Sequence, residues 1–382
     1  MSLTGPLFLG TLVVITVVAF AAVVLAWPSL GREGVPRVAG RIGMLLGLNG
    51  LVLLTAAAQL NAQFIFFADW TDLRGAFGAA PTTTAVSRGI TATQAARTLV
   101  HGAAAVAVSR LPPLPAGRVS PTGVVTYTVR GAHSGLTGTV EVQLPPGYQD
   151  PSSASTRYPV MEAFQGYPGG PGSWIHRMAL GEAVTQQVAA GRMRQVLVVS
   201  PQVELPKGVD TECVNGAAGR PQLETWLADD VPEWVAHTFR VKTDRASWSA
   251  IGLSTGGWCA AMVAMLHPAQ YSTAIVMGGY FRPEFGPLYD PYPPRSLMSH
   301  RYDLVALSRR SPPPVAMWLE TSHADSVSYS SSAAFLKATR PPLSVRAVVL
   351  QHAGHRISLW ESLLPSSLVW LGHNVPGFAP LR

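Results

Sequence analysis

Apolar and polar positions divide the chain into three stretches of different period. The first 70 residues hold two long apolar runs. From Gly5 to Trp27 no charged residue occurs, and a helix of that length crosses the roughly 30 Å of bilayer hydrocarbon. The second run, Ile42 to Phe67, is interrupted only by the uncharged Asn49, Thr55, Gln59, Asn61 and Gln63, and Asp69 and Trp70 close it at an interfacial position. Both runs are predicted as transmembrane helices. A cleaved leader fits less well, because there is no basic segment ahead of the first run and the second span follows directly. The uncharged polar set in the second run suits helix pairing.

Residues 71–120 show no such period. They are rich in Ala, Gly, Thr and Pro and end in LPPLPAG, Leu111 to Gly117. This stretch reads as a linker with a short helix around Thr91 to Val108.

After Pro121 the apolar runs become short and frequent. Val124–Val129 and Gly138–Leu144 flank a Gly-rich turn and read as an antiparallel hairpin. Further strands are expected at Tyr158–Phe164, Gln195–Ser200, Trp248–Ile251, Thr273–Met277, Val315–Leu319 and Val345–Leu350. Helices are expected near Trp174–Ala190, Pro221–Phe239, Gly256–His267, Val327–Thr339 and Ser358–Leu371. Strand and helix alternating at this spacing predict a mostly parallel sheet covered on both faces. With the antiparallel start, that is the order of the α/β-hydrolase fold. The expected organisation is a membrane anchor over 1–70, a linker over 71–120 and a catalytic domain over 121–382.

Composition sharpens the location. Hydrophobic residues make up 48% and charged residues 13%, too apolar for an ordinary soluble enzyme. The net charge of +7 is spread along the chain without a basic run interleaved with aromatics, so nucleic-acid binding is not expected. Between the two spans Arg32, Arg37 and Arg41 face a single Glu33. The positive-inside rule puts that loop in the cytoplasm, and the catalytic domain outside the cell membrane. Cys213 and Cys259, the two cysteines, lack metal-ligand spacing. They can form one bridge in an oxidising compartment or remain two thiols. No metal and no cofactor is expected.

The chemistry centres on Gly252-Leu253-Ser254-Thr255-Gly256. A strand enters this G-x-S-x-G and a helix leaves it, the context a nucleophile elbow requires. The Thr255 amide, at the helix start, can donate to an oxyanion. A second donor is expected in the loop after the strand Tyr158–Phe164, where Tyr167 carries the N–H that Pro168 lacks. In this fold the acid and then the histidine follow the serine. After Val345–Leu350, both His352 and His355 fit the base, and Gly354 gives His355 the freer backbone. After Val315–Leu319, both Glu320 and Asp325 qualify as the acid; Asp325 has the loop reach of a group that orients an imidazole.

These residues resemble the esterase D family and its actinobacterial relatives, the mycolyltransferases and secreted esterases. The resemblance covers roughly Pro121 to Leu371. It rests on GLSTGG at Gly252–Gly257, LADDVPEWV at Leu227–Val235, His267-Pro268 leading to Gly278-Gly279-Tyr280, and Gly354-His355 followed by Trp360. It implies ester chemistry through an acyl-serine, with Ser254, Asp325 and His355 as triad and the Thr255 and Tyr167 amides as oxyanion hole. It does not extend to the transmembrane pair or to a trehalose site. The expected function is a serine esterase acting on an ester at the outer membrane face. Its substrate would be a membrane-lipid or envelope-linked ester, for example a lipid ester or an aminoacyl-phospholipid. The alternatives are an acyltransferase of mycolyltransferase type, a peptidase, or a catalytically silent envelope-binding protein. Phe285, Tyr289 and Tyr292, in the Pro-rich segment from Phe281 to Pro314, either line an acyl pocket or pack within the loop.

Overall fold

The computed structural model describes residues 2–30, 34–76, 83–100, 123–286 and 289–381. The chain divides into two compact units: Met1–Thr82 with Ser322–Ser326 and Leu350–Arg356, and Thr83–Thr321 with Val327–Val349 and Ile357–Arg382.

In the first unit, helices Pro6–Ala26 and Val35–Phe64 each start with proline in the first turn, where its missing N–H costs nothing. Both are long and apolar enough to cross a membrane. Of their described residues only Leu12 and Asn61 are buried. Arg37 and Arg41, expected in the connecting loop, lie in the first turns of the second helix because Pro36 starts it early; Arg32 and Glu33 lie outside the described residues. Of the polar set in the second run, Thr55 does join the helices, its Oγ1 standing 2.7 Å from Thr16 Oγ1. Asn61 instead closes the helix end. Its amide bonds both the N–H and the carbonyl of Phe67, at 2.8 and 2.9 Å, and folds the chain back after Ile65.

Among the described residues the second unit is built on nine strands: β1 (Thr83–Gly89), β2 (Val124–Arg130), β3 (Thr137–Gln143), β4 (Val160–Phe164), β5 (Leu197–Pro201), β6 (Trp248–Leu253), β7 (Thr273–Met277), β8 (Ala316–Ser322) and β9 (Ser344–Leu350). They form one sheet in the order β1-β9-β8-β7-β6-β4-β5-β3-β2. β2 pairs antiparallel with β3, and β3 with β5. The run from β5 through β4, β6 and β7 to β8 is parallel. Every residue of β4, β5, β6, β7 and β8 is buried, which is why these strands read as unbroken apolar runs without alternation. This is the α/β-hydrolase fold the sequence predicts.

The linker expected over 71–120 needs correction where it is described. Thr83–Gly89 is the edge strand β1, and Ala92–Arg97 is a helix opened by a Thr91/Gln94 capping box. Ala92 and Ala95 bury against Ala316, and Arg245 donates to the carbonyls of Ala96, Thr98 and Pro314. An exposed edge strand needs only extended backbone, so TTAVSRG shows no apolar alternation to betray it. LPPLPAG lies outside the described residues. The helix expected over Trp174–Ala190 breaks at Ala179, which adopts φ 47°. The Pro-rich segment from Phe281 to Pro314 also carries two short helices, Leu297–Arg301 and Leu304–Arg310.

Glu162, in the centre of β4, has no exposed surface and accepts the Tyr271 hydroxyl at 2.5 Å. Burial pushes its carboxyl up from 4.5 to about 8, against the opposing pull of the Tyr271 bond. Between those two values the native state keeps a proton that the unfolded chain has lost. Stability therefore falls as pH rises across that window, by up to about 1.4 kcal/mol per pH unit. Glu162→Gln should remove this slope, so its stability relative to wild type should grow between pH 5 and 8. Thermal melts at several pH values check this; a pH-independent difference would mean that Glu162 is ionised in the fold.

Candidate active site

Ser254 sits between β6 and the helix Thr255–Leu266. Its backbone has φ 55° and ψ −127°, a conformation that costs a non-glycine residue roughly 1–3 kcal/mol and survives only where the surroundings impose it. They do so by close packing. A Cβ on Gly252 would stand 1.8 Å from the Gly256 carbonyl oxygen, and one on Gly256 would stand 2.0 Å from that of Phe164. Only glycine lets strand, turn and helix approach this closely. The Ser254 N–H donates to Met277 O at 2.9 Å, and Gly257 N donates back to Ser254 O at 2.8 Å. The turn is tied to β7 on one side and to its own helix on the other.

The loop after β4 lies against this turn. A Cβ on Gly166 would be 3.2 Å from Ser254 Cβ. Tyr167 comes next, its side chain exposed and its hydroxyl donating to Gly208 O at 3.3 Å. Thr255 is the first residue of the helix, so its amide lies in the positive first turn.

Beneath Thr255 lies a polar cluster that no local sequence signal reports. The Tyr280 hydroxyl stands 2.6 Å from Glu212 Oε1 and 3.3 Å from Thr255 Oγ1. Burial, and then the charge of Asp210, hold the Glu212 carboxyl well above the usual carboxylate range; burial pushes Asp210 up to about 6. Glu212 O accepts the Trp258 indole N–H at 2.7 Å, and Cys213 is bridged to Cys259. Of the two states left open for the cysteines, the structure has the disulfide. It binds the Glu212–Cys213 turn to the helix that begins at Thr255.

The candidate acids and bases separate cleanly. Asp325 lies three residues beyond β8 and His355 five beyond β9. Asp325 Oδ2 is 2.9 Å from His355 Nδ1, with both side chains largely buried. Glu320 is still in β8. Its Oε2 accepts the Gly278 N–H at 2.8 Å and the Trp360 indole at 3.0 Å, linking the turn after β7 to the helix Ile357–Asn374. His352 points elsewhere, its Nδ1 on Asp69 Oδ2 at 2.7 Å. The Asp325–His355 pair belongs to the first unit and Ser254 to the second.

Phe285, Tyr289 and Tyr292 pack on one another, with Tyr292 stacked on Tyr302 at 5.7 Å. These rings pack within their own loop segment. Among the described residues no group of three or more His, Cys, Asp or Glu side chains could hold a metal ion.

A family model described as "Putative esterase" matches residues 135–360, more than half of the chain. A Corynebacterium glutamicum protein described as uncharacterized is 29% identical over 143 residues, a match spanning 37% of this chain and 33% of that relative. Three solved structures share the fold. A ferulic acid esterase superposes with TM-score 0.55 at 18% identity, covering 66% of this chain and 98% of that one. An S-formylglutathione hydrolase from Agrobacterium tumefaciens gives 0.56 at 15%, covering 67% and 97%. A fluorophosphonate-binding serine hydrolase from Staphylococcus aureus gives 0.53 at 13%, covering 66% and 99%.

Proposed function

The chain belongs to the esterase family, and from that premise we propose that it is a membrane-anchored serine esterase with Ser254 as nucleophile, His355 as base and Asp325 as acid. The observation that carries the reading is the conformation of Ser254 at the end of β6, strained as a nucleophile elbow is. The Asp325–His355 bond supports it by engaging Nδ1 of the imidazole.

With Nδ1 on Asp325, Nε2 takes the Ser254 proton as Oγ attacks the ester carbonyl carbon. The oxyanion is held by the Thr255 and Tyr167 amides. The tetrahedral intermediate collapses by expelling the alcohol, which leaves with the proton from His355. A water then gives a proton to His355 and attacks the acyl-serine. The second collapse releases the acid and restores Ser254.

The two apolar N-terminal helices are read as membrane spans, with the Arg-bearing connection in the cytoplasm and the hydrolase on the outer face. Such a placement favours a lipid or envelope-linked ester. Full-length protein in lipid vesicles should take up a fluorophosphonate label; folded protein that stays unlabelled would overturn the esterase reading. Esters embedded in the vesicle should be turned over, and cleavage confined to water-soluble esters would remove the lipid substrate.

A further inference from the structure

The residues just past the second apolar helix close on the segment that carries His355. Ile65, at φ 53°, accepts the His355 backbone N–H at 2.7 Å. Asp72, only 3% exposed, accepts the Gly354 N–H at 2.7 Å and pairs with the Arg356 guanidinium at 2.7 Å. Arg356 also donates to Phe66 O at 3.1 Å and stands over the Phe67 ring at 5.0 Å. Asp69 holds His352. A Cβ on Gly354 would sit 2.3 Å from Phe66 O, so only glycine permits the contact.

Residues 352, 354, 355 and 356 are thus each bonded to the stretch between Ile65 and Asp72. A tether needs none of these bonds, since it can carry a domain through any linker. Asp72 is itself set by the turn before it: its N–H donates to Asp69 Oδ1 at 2.8 Å, and its carboxylate accepts the Ala68 N–H at 3.0 Å. A buried carboxylate with this many donors is a rigid anchor, and removing it leaves an N–H and a guanidinium without their acceptor.

We propose that the membrane module is part of the catalytic apparatus: the Ile65–Asp72 segment fixes the backbone on both sides of His355, with Asp72 as the chief positioning residue for the imidazole. This rests on reading His355 as the base. The first helices then do two jobs, anchoring the enzyme and mounting its base at the end of the second span. Cutting the anchor away would release the His355 segment.

The test measures turnover of a water-soluble p-nitrophenyl ester by full-length protein in detergent, so that access to a bilayer plays no part. Asp72→Ala should lower kcat by about ten- to a hundredfold with little change in KM, the cost of misplacing a catalytic group. Asp72→Asn keeps an acceptor for Gly354 but loses the Arg356 charge pair, and should fall between; it answers the question if the alanine variant fails to fold by circular dichroism. A wild-type kcat in Asp72→Ala would reduce the module to a tether. A raised KM with unchanged kcat would make the segment a substrate contact, which also overturns the proposal. His355→Ala, run alongside, separates the two readings. Retained turnover there removes His355 as base, whereas an inactive His355→Ala beside a fully active Asp72→Ala removes only the role of the membrane module.

Discussion

Ser254→Ala should lower kcat by about a million-fold, because the nucleophile and its base act as a unit and losing either removes the covalent route. Fluorophosphonate labelling should vanish with it. The elbow allows a second variant to check that the residue is strained as well as reactive. Ser254 holds φ 55° and ψ −127°, where a Cβ is unfavourable. Alanine keeps that Cβ and should melt close to wild type. Glycine removes it, so Ser254→Gly should be as inactive as alanine and more stable by about 1 kcal/mol. Calorimetry and a labelling gel measure the two effects separately. Substantial ester turnover by either variant would move the nucleophile elsewhere.

The second large effect concerns the acid. Asp325→Asn keeps the size of the side chain but replaces an acceptor of the His355 Nδ1–H with an amide, which favours the wrong imidazole tautomer and does not stabilise the imidazolium. kcat should fall on the order of ten-thousand-fold at neutral pH, with the fold intact. Glu320→Gln should do the reverse. Glu320 Oε2 accepts from both Gly278 N and the Trp360 indole; a glutamine oxygen at that place can take both donors, but as a neutral acceptor weaker than a carboxylate. A loss of about 1–3 kcal/mol of stability is expected, with turnover per folded molecule near that of wild type. If Glu320→Gln abolished turnover while Asp325→Asn preserved it, the acid would have to be reassigned to β8.

Much of this was legible along the chain. Strands β4 to β8 are legible to within a few residues because a strand buried on both faces must be written as a short apolar run, and β2, β3 and β9 because each still buries part of its residues between turns that carry Gly, Pro or polar residues. The elbow was legible for the same local reason. A Cβ on Gly252 would stand 1.8 Å from Gly256 O and one on Gly256 would stand 2.0 Å from Phe164 O, so the glycines of the motif record the close packing of the elbow. β1 is not legible because six of its seven residues are exposed and carry no apolar alternation.

The sequence by itself therefore determined the strands β2 to β9, the two apolar spans and the candidate nucleophile, each marked by neighbours within a few residues. It left a choice between Asp325 and Glu320 and between His355 and His352, and it left the cysteines open. Only the tertiary structure paired His355 with Asp325, gave Glu320 to Gly278 and Trp360, closed Cys213 on Cys259 and set Glu212 and Tyr280 under Thr255. It alone tied Asp72 to Gly354 and Arg356 across some 280 residues of chain. The physical reason is common to all of them. A hydrogen bond or ion pair between distant residues leaves no period in either local segment, and a carboxylate acquires its role from whichever donors the fold brings to it.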